Sequence, residues 1–177
     1  AALAHRGQRV LVLEQHRVPG GQTQTFQRQG WTFATAGFER MALRMQHYAR
    51  EAGQSPEQRL AAVGRAYVDF ALAHPAQFRL MFRSDRLDAE DAALKQASTA
   101  AAQALAWSLS VALEHRGVEA QTLQERCLLA WSAVHGLAML VLDADLSVFG
   151  LANDRDGGAR EAAVRLLDRL GVSLLAP

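Results

Sequence analysis

Arg65-Ala66-Tyr67-Val68-Asp69-Phe70-Ala71-Leu72-Ala73-His74-Pro75-Ala76-Gln77-Phe78-Arg79-Leu80-Met81-Phe82 returns its large apolar side chains at three- and four-residue steps. With Leu60 and Val63 just upstream, the residues Tyr67, Phe70 and His74 continue one face of a helix with a 3.6-residue period. Pro75 interrupts that face, because proline has no N–H to donate and disfavours a helical residue before it. The stretch therefore predicts a helix ending at His74 and a short separate helix over residues 76–82, carrying Phe78, Met81 and Phe82. Upstream, Ser55-Pro56-Glu57-Gln58 is a helix start. Ser55 can cap, Pro56 loses nothing at the first helical position, and Glu57 complements the positive end of the helix dipole.

The same period extends outward in both directions. Phe38, Met41, Met45, Tyr48 and Ala52 share a face and Gly53 stops them. Past a charged connection over residues 85–91, residues 92–115 form one long helix with Leu94, Ala101, Leu105, Leu109 and Ala112 on one side, ended by Gly117. Residues 121–143 are apolar on nearly all sides in their second half: Leu128, Trp131, His135 and Leu142 on one face, Leu129, Gly136, Leu137 and Leu140 on another. A helix apolar all round has to be covered all round. After a polar loop over residues 153–158, residues 159–170 place Ala163, Val164, Leu167 and Leu170 inward and Arg160, Glu161, Arg165 and Arg169 outward. The expectation is a mainly α fold, a helical bundle of about six helices.

The residues before Ala34 read differently. Residues 1–5 resemble a last helical turn with Gly7 as its stop, Arg9-Val10-Leu11-Val12-Leu13-Glu14 is a buried-strand run, and Val18-Pro19-Gly20-Gly21 is a loop. Residues 22–33 alternate polar and aromatic side chains and suggest a second extended segment. The period changes near Ala34, so the chain divides into a short β/loop fragment, residues 1–34, and a helical domain, residues 35–177. The first residue is alanine rather than methionine, so the expectation is that the start of the polypeptide lies upstream.

Composition excludes little but usefully. Half of the residues are hydrophobic, which over 177 residues supports one well-buried domain. Nineteen basic residues against eighteen acids give a net charge of +1, so no long-range field argues for nucleic acid, a membrane surface or an acidic substrate. The single cysteine, Cys127, cannot form an internal disulfide and fits a reducing compartment. The longest apolar run, residues 127–142, is short of a bilayer span and carries Ser132 and His135, so a soluble, cytoplasmic protein with no membrane contact is expected.

Few residues carry chemistry. His135, with Trp131 and Gly136, is the most unusual cluster, since a titratable ring and a glycine inside an apolar helix are both destabilising unless used. Either the cluster walls a pocket, or Gly136 permits close helix packing while His135 bonds a backbone carbonyl. His74 reads first as a cation at a helix C-terminus and second as a pocket residue. The six histidines have no companions at metal-ligand spacing, and Cys127 lacks those a zinc site needs, so no metal is expected. Asp143, Asp145, Asp154 and Asp156 read as solvated loop chemistry. Ser108, Ser110 and Ser132 lie within helices and outside any Gly-x-Ser-x-Gly turn, so no catalytic residue is expected. Glu14 would hold a ribose in a dinucleotide fold, but no glycine-rich turn stands before it to cradle the phosphates, so no cofactor is expected.

Two resemblances organise these observations. Residues 1–21 resemble the start of FAD-dependent amine oxidase and carotenoid or retinol desaturase-type proteins. Glu14 then corresponds to the ribose-binding acid, and Gly20 and Gly21 to the loop beside the flavin. Residues 65–82, together with Trp131-Ser132-Ala133-Val134-His135-Gly136-Leu137-Ala138, resemble the C-terminal domain of TetR-type transcriptional regulators, in the subgroup named for its Trp-His-Gly motif. That second resemblance covers roughly residues 36–170. It implies middle helices around a small-molecule pocket, with Tyr67, Phe70, His74, Phe78, Phe82, Trp107, Trp131 and His135 as candidate lining residues. It also implies a homodimer built from the last two helices, with Leu137, Leu140, Val164 and Leu167 as candidate interface residues. TetR-type regulators begin with a helix-turn-helix that reads DNA, and residues 1–33 contain nothing like it. DNA binding is therefore implied by the relatives only. The expected function is a ligand-sensing and dimerisation domain for a small hydrophobic effector. A truncated FAD-dependent oxidoreductase is the alternative, and a helical interaction module without a ligand is a third possibility.

Overall fold

Ser55 and Pro56 open the helix around which the others gather. The Ser55 hydroxyl accepts the Gln58 N–H at 3.4 Å and Pro56 takes the first helical position. The computed structural model describes residues 30–119, 123–143, 150 and 158–176. Among them are six α-helices: α1 Gly30–Glu51, α2 Pro56–Ala73, α3 Pro75–Met81, α4 Ala92–His115, α5 Leu123–Asp143 and α6 Gly158–Leu174. A single 3-10 turn, Ser84–Arg86, lies between α3 and α4, and there is no strand among the described residues. The expected strand, with Glu14, Gly20, Gly21, Asp145, Asp154 and Asp156, lies outside the described residues.

The helix boundaries follow local chemistry. Pro75 separates α2 from α3 as its missing N–H requires. The Asp91 carboxylate accepts the Leu94 N–H at 2.7 Å and caps α4. At the other end of α4, Gly117 has a φ of 67°, and Val118 N–H donates to the Leu113 carbonyl five residues back, the bond that closes a glycine-terminated helix. Glu57 joins two such ends. Its carboxylate accepts from the Ser55 hydroxyl at 2.6 Å, from Arg116 at 2.8 Å and from His115 at 3.1 Å, and these bonds hold its pKa at about 2.

One boundary corrects the sequence reading. α1 begins at Gly30, so residues 30–33 are helical rather than extended, and the division placed near Ala34 falls inside the first turns of this helix. The alternation over residues 22–33 is interrupted at Gly30, which leaves only Trp31 and Phe33 beyond it, too few to fix a period, and glycine is tolerated where a helix starts.

α2 is the central element and touches every other helix. Its residues from Ala66 to Ala71 are all buried, polar Asp69 included. Close approach to neighbours depends on two glycines. A Cβ on Gly37 of α1 would stand 2.5 Å from the Met81 sulfur of α3, and one on Gly64 of α2 would stand 3.2 Å from Leu167 of α6. The larger core cluster draws on all six helices, with Val134 and Ala138 from α5 and Ala163 and Leu167 from α6. A second, around Leu60, Leu109, Leu113 and Leu174, closes the far end of the bundle. Leu105 and Leu170 pack against both.

α5 is the least covered of the long helices in the single chain. The expectation placed its own domain over one face and a second copy over another; within the single chain Ala130, Val134 and Ala138 are buried. These small residues, four apart, form the stripe that settles on the bundle, while Leu128, Leu129, Trp131 and Leu140 are turned toward solvent. The helix also exceeds the apolar run counted from sequence: at 21 residues it is, among the described residues, the one helix long and apolar enough by length and composition to cross a membrane. Its inner stripe packs against α2, α4 and α6.

Candidate functional site

The site is assembled around Tyr67, on the face of α2 that meets α5. The Tyr67 hydroxyl lies 2.8 Å from His135 Nδ1. Trp131, one helical turn before His135, also hydrogen-bonds that hydroxyl. An indole N–H can only donate, so Trp131 donates to the Tyr67 oxygen, while the hydroxyl and His135 Nδ1 share the other bond. Burial pushes the Tyr67 hydroxyl pKa well up, opposed by the Trp131 bond, and burial pushes the His135 pKa down. Both groups are therefore neutral near pH 7.

Phe78 and Phe82 complete this cluster. Phe78 meets Tyr67 edge-on at 5.4 Å and His135 at 5.5 Å, and Phe82 meets His135 edge-on at 4.5 Å. The Trp-x-x-x-His spacing thus serves one purpose here: it grips a tyrosine from a neighbouring helix within an aromatic surround. Lowering the pH should loosen this grip. A histidine whose folded pKa lies below its ordinary 6.5 loses folded-state stability as pH falls from about 6.5 through the lowered value. The melting temperature should fall between pH 7.5 and 5.5, and His135→Gln should flatten that dependence, as thermal unfolding monitored by circular dichroism will show.

Beside the cluster lies a cavity of about 550 Å³. α1 contributes Phe38, Met41 and Met45, α2 contributes Val63, Gly64 and Tyr67, and Phe82 follows from the end of α3. α4 closes one side with residues from Ser98 to Leu105, and α5 another with Cys127, Leu128, Trp131 and Val134. No charged side chain is among the lining residues. Burial raises the Cys127 thiol pKa, so that group is also neutral. Thr99, Ala102, Leu128 and Trp131 are exposed as well as lining, so the cavity opens to solvent between α4 and α5.

Of the residues singled out by sequence, Tyr67, Phe82 and Trp131 line this cavity. His135 stands behind the wall and bonds the Tyr67 side chain, where a backbone carbonyl was one expectation. Phe70 and Phe78 are fully packed in the core. His74 is exposed at the junction of α2 and α3, tilted against Phe70 at 5.1 Å, and does not reach the cavity. Trp107 belongs to a different groove. Gly136 makes no close packing within the protomer: a Cβ there would meet nothing within 4 Å. Leu167 is buried against α2 and so does not present itself to a partner, whereas Leu140 is exposed, and Leu137 and Val164 are half-buried.

The sequence reading missed the α1 and α4 walls. Met41 and Met45 were recognised as a helical face, and two adaptable thioethers one turn apart were a signal that this face met something irregular. Ser108 and Ser110 donate to the Ala104 and Trp107 carbonyls of their own helix. Among the described residues no cluster of three or more His, Cys, Asp or Glu could hold a metal.

The comparisons with known proteins bear on this helical fold. Residues 60–170 match the family model described as tetracyclin repressor-like, C-terminal domain. The chain belongs to this family. Tetracyclin repressor-like C-terminal domains are regulatory rather than catalytic. The fold is similar to that of a protein of unknown function from Rhodococcus sp. RHA1, with a TM-score of 0.65 and 22% identity over 80% of this chain and 70% of that one. No curated protein matches the chain. The oxidoreductase alternative finds no support in these comparisons.

Proposed function

We propose that residues from Gly30 onward are the effector-sensing and dimerisation domain of a TetR-type transcriptional regulator of the Trp-His-Gly subgroup. The observation that carries this reading is the 550 Å³ cavity with no charged lining residue, a volume within the range of small-molecule sites. An ionised ligand buried there would lose its hydration without gaining a partner, so the cavity itself selects neutral, apolar matter. Cavity walls come from α1, α2, α4 and α5, so occupancy bears on how these helices sit together. In a complete regulator, acting in the cytoplasm, that change would reach a helix-turn-helix and alter DNA affinity.

The test is binding of N-phenyl-1-naphthylamine, an uncharged fluorescent probe. Saturable, blue-shifted emission is expected from the wild-type protein. Ala102→Phe, which fills the cavity from a solvent-exposed position, should weaken it about tenfold or more, equivalent to about 1.4 kcal/mol. Absence of saturable binding to the wild-type protein overturns the proposal.

Homodimerisation is the second half of the reading. Leu129, Ala133, Gly136 and Leu140 fall on one exposed face of α5, and the open space over Gly136 suits the close approach of a second helix. Sedimentation should show a dimer at tens of micromolar, and Gly136→Glu, which sets a charge in that stripe, should give a folded monomer. A wild-type monomer at that concentration removes the interface.

A further inference from the structure

Met45 and Val63 bound the apolar cavity on one side. Both side chains also line a second groove, of about 380 Å³, whose other lining residues are Gln46, Ala49, Arg50, Arg59, Ala104, Trp107 and Ser108. The two spaces share a wall, and their chemistry differs. The cavity has no charge, whereas the groove has two guanidinium groups and no carboxylate among its lining residues.

Neither arginine forms an ion pair among the described residues. Glu57, the acid nearest to Arg59 in sequence, is already committed to Arg116, His115 and Ser55. Arg59 is instead oriented by the α1–α2 connection: its Nε donates to the Gly53 carbonyl at 2.9 Å and one Nη to Gln54 Oε1 at 3.4 Å. Those bonds fix the plane of the guanidinium and leave further N–H groups for an acceptor. Arg50 stands in the last turn of α1. Between cavity and groove, Met45 is an unbranched, adaptable side chain, the kind that can yield to a chain passing it.

We propose that cavity and groove together form one site for a single-chain amphiphile with an anionic head, its chain among Phe38, Met41 and Tyr67 and its head between Arg50 and Arg59. The inference rests on the cavity being a ligand site and adds the class of ligand. An uncharged apolar molecule would use the cavity alone. An anionic amphiphile would use both spaces, with the charge held at the rim, where solvent limits its desolvation.

Dodecanoate, dodecyl phosphate and 1-dodecanol, each below its aggregation concentration, compete against N-phenyl-1-naphthylamine on the full chain. At low salt both anions should displace the dye at roughly tenfold lower concentration than 1-dodecanol, with the difference shrinking as salt screens the head. The stronger anion identifies the head as carboxylate or phosphate. Arg50→Gln and Arg50→Gln/Arg59→Gln should bring the anions down to the affinity of 1-dodecanol while leaving the dye and the alcohol unchanged. Equal affinities in the wild-type protein, or an anion preference that survives both variants, overturns the proposal while leaving the neutral-ligand reading intact. Failure of the dye itself to bind removes both.

Discussion

Phe78→Ala is expected to destabilise the protein by about 4 kcal/mol. The ring is fully buried, meets Tyr67, Phe82 and His135 within 5.5 Å, and stands where α2, α3 and α5 converge. Truncation removes the transfer free energy of a whole ring and leaves a void that these neighbours cannot collapse into, because Tyr67 is tied to His135 and Trp131. Against a typical total stability of about 5–15 kcal/mol, such a loss leaves little margin. Phe78→Leu keeps most of the volume and should lose about 1.5 kcal/mol. Urea unfolding of both variants reads the difference, and a loss below about 1.5 kcal/mol for the alanine variant would show that this cluster is not the packing centre.

Asp69→Asn should remove about 2 kcal/mol at pH 7, because Asp69 is the polar knot of the bundle. Its carboxylate accepts two bonds from Arg160 of α6, at 2.8 and 2.9 Å, and one from the Tyr48 hydroxyl of α1 at 3.0 Å. Burial pushes its pKa up, but the bonds from Arg160 and Tyr48 and the charges of Arg160 and Arg44 outweigh burial and bring it below its ordinary 3.8. A carboxylate with a depressed folded pKa contributes stability that is fully present above about 3.8 and is lost as pH falls through the folded value. The gap between wild type and Asp69→Asn should therefore be constant from pH 7 to 5 and close toward pH 3. A gap that does not change with pH would mean that the amide, not the charge, accounts for the loss. Arg160 is largely solvent-exposed, which keeps the expected loss below that of a fully buried ion pair.

Much of the bundle was legible because its helix ends are written in residues with a single physical meaning. Ser55-Pro56 starts α2, Pro75 divides α2 from α3, and Gly117 ends α4, each where the sequence placed it. The start of α1 was not legible, since glycine with two aromatics over four residues fits helix and strand equally. The site was half legible. Tyr67, Phe82 and Trp131 stood out by type, but a cavity is the space that side chains leave, and periodicity reports only which face turns inward. It cannot separate Phe78, which fills the core, from Phe82, four residues on, which borders the cavity. Asp69 drew no reading from the sequence, because its partner Arg160 lies ninety-one residues later.

The placement of α5 has a thermodynamic consequence. Trp131 and Leu128 border the cavity, while Leu129 and Gly136 lie on the outward face proposed for self-association, so a single rigid rod belongs to both equilibria. Whatever factor separates effector affinity per site in the proposed dimer from that in the monomer enters twice, once for each protomer, in the ratio of dimerisation constants with and without effector. Measuring either ratio fixes the other, and protein concentration itself becomes a variable that tunes the apparent sensitivity of the sensor.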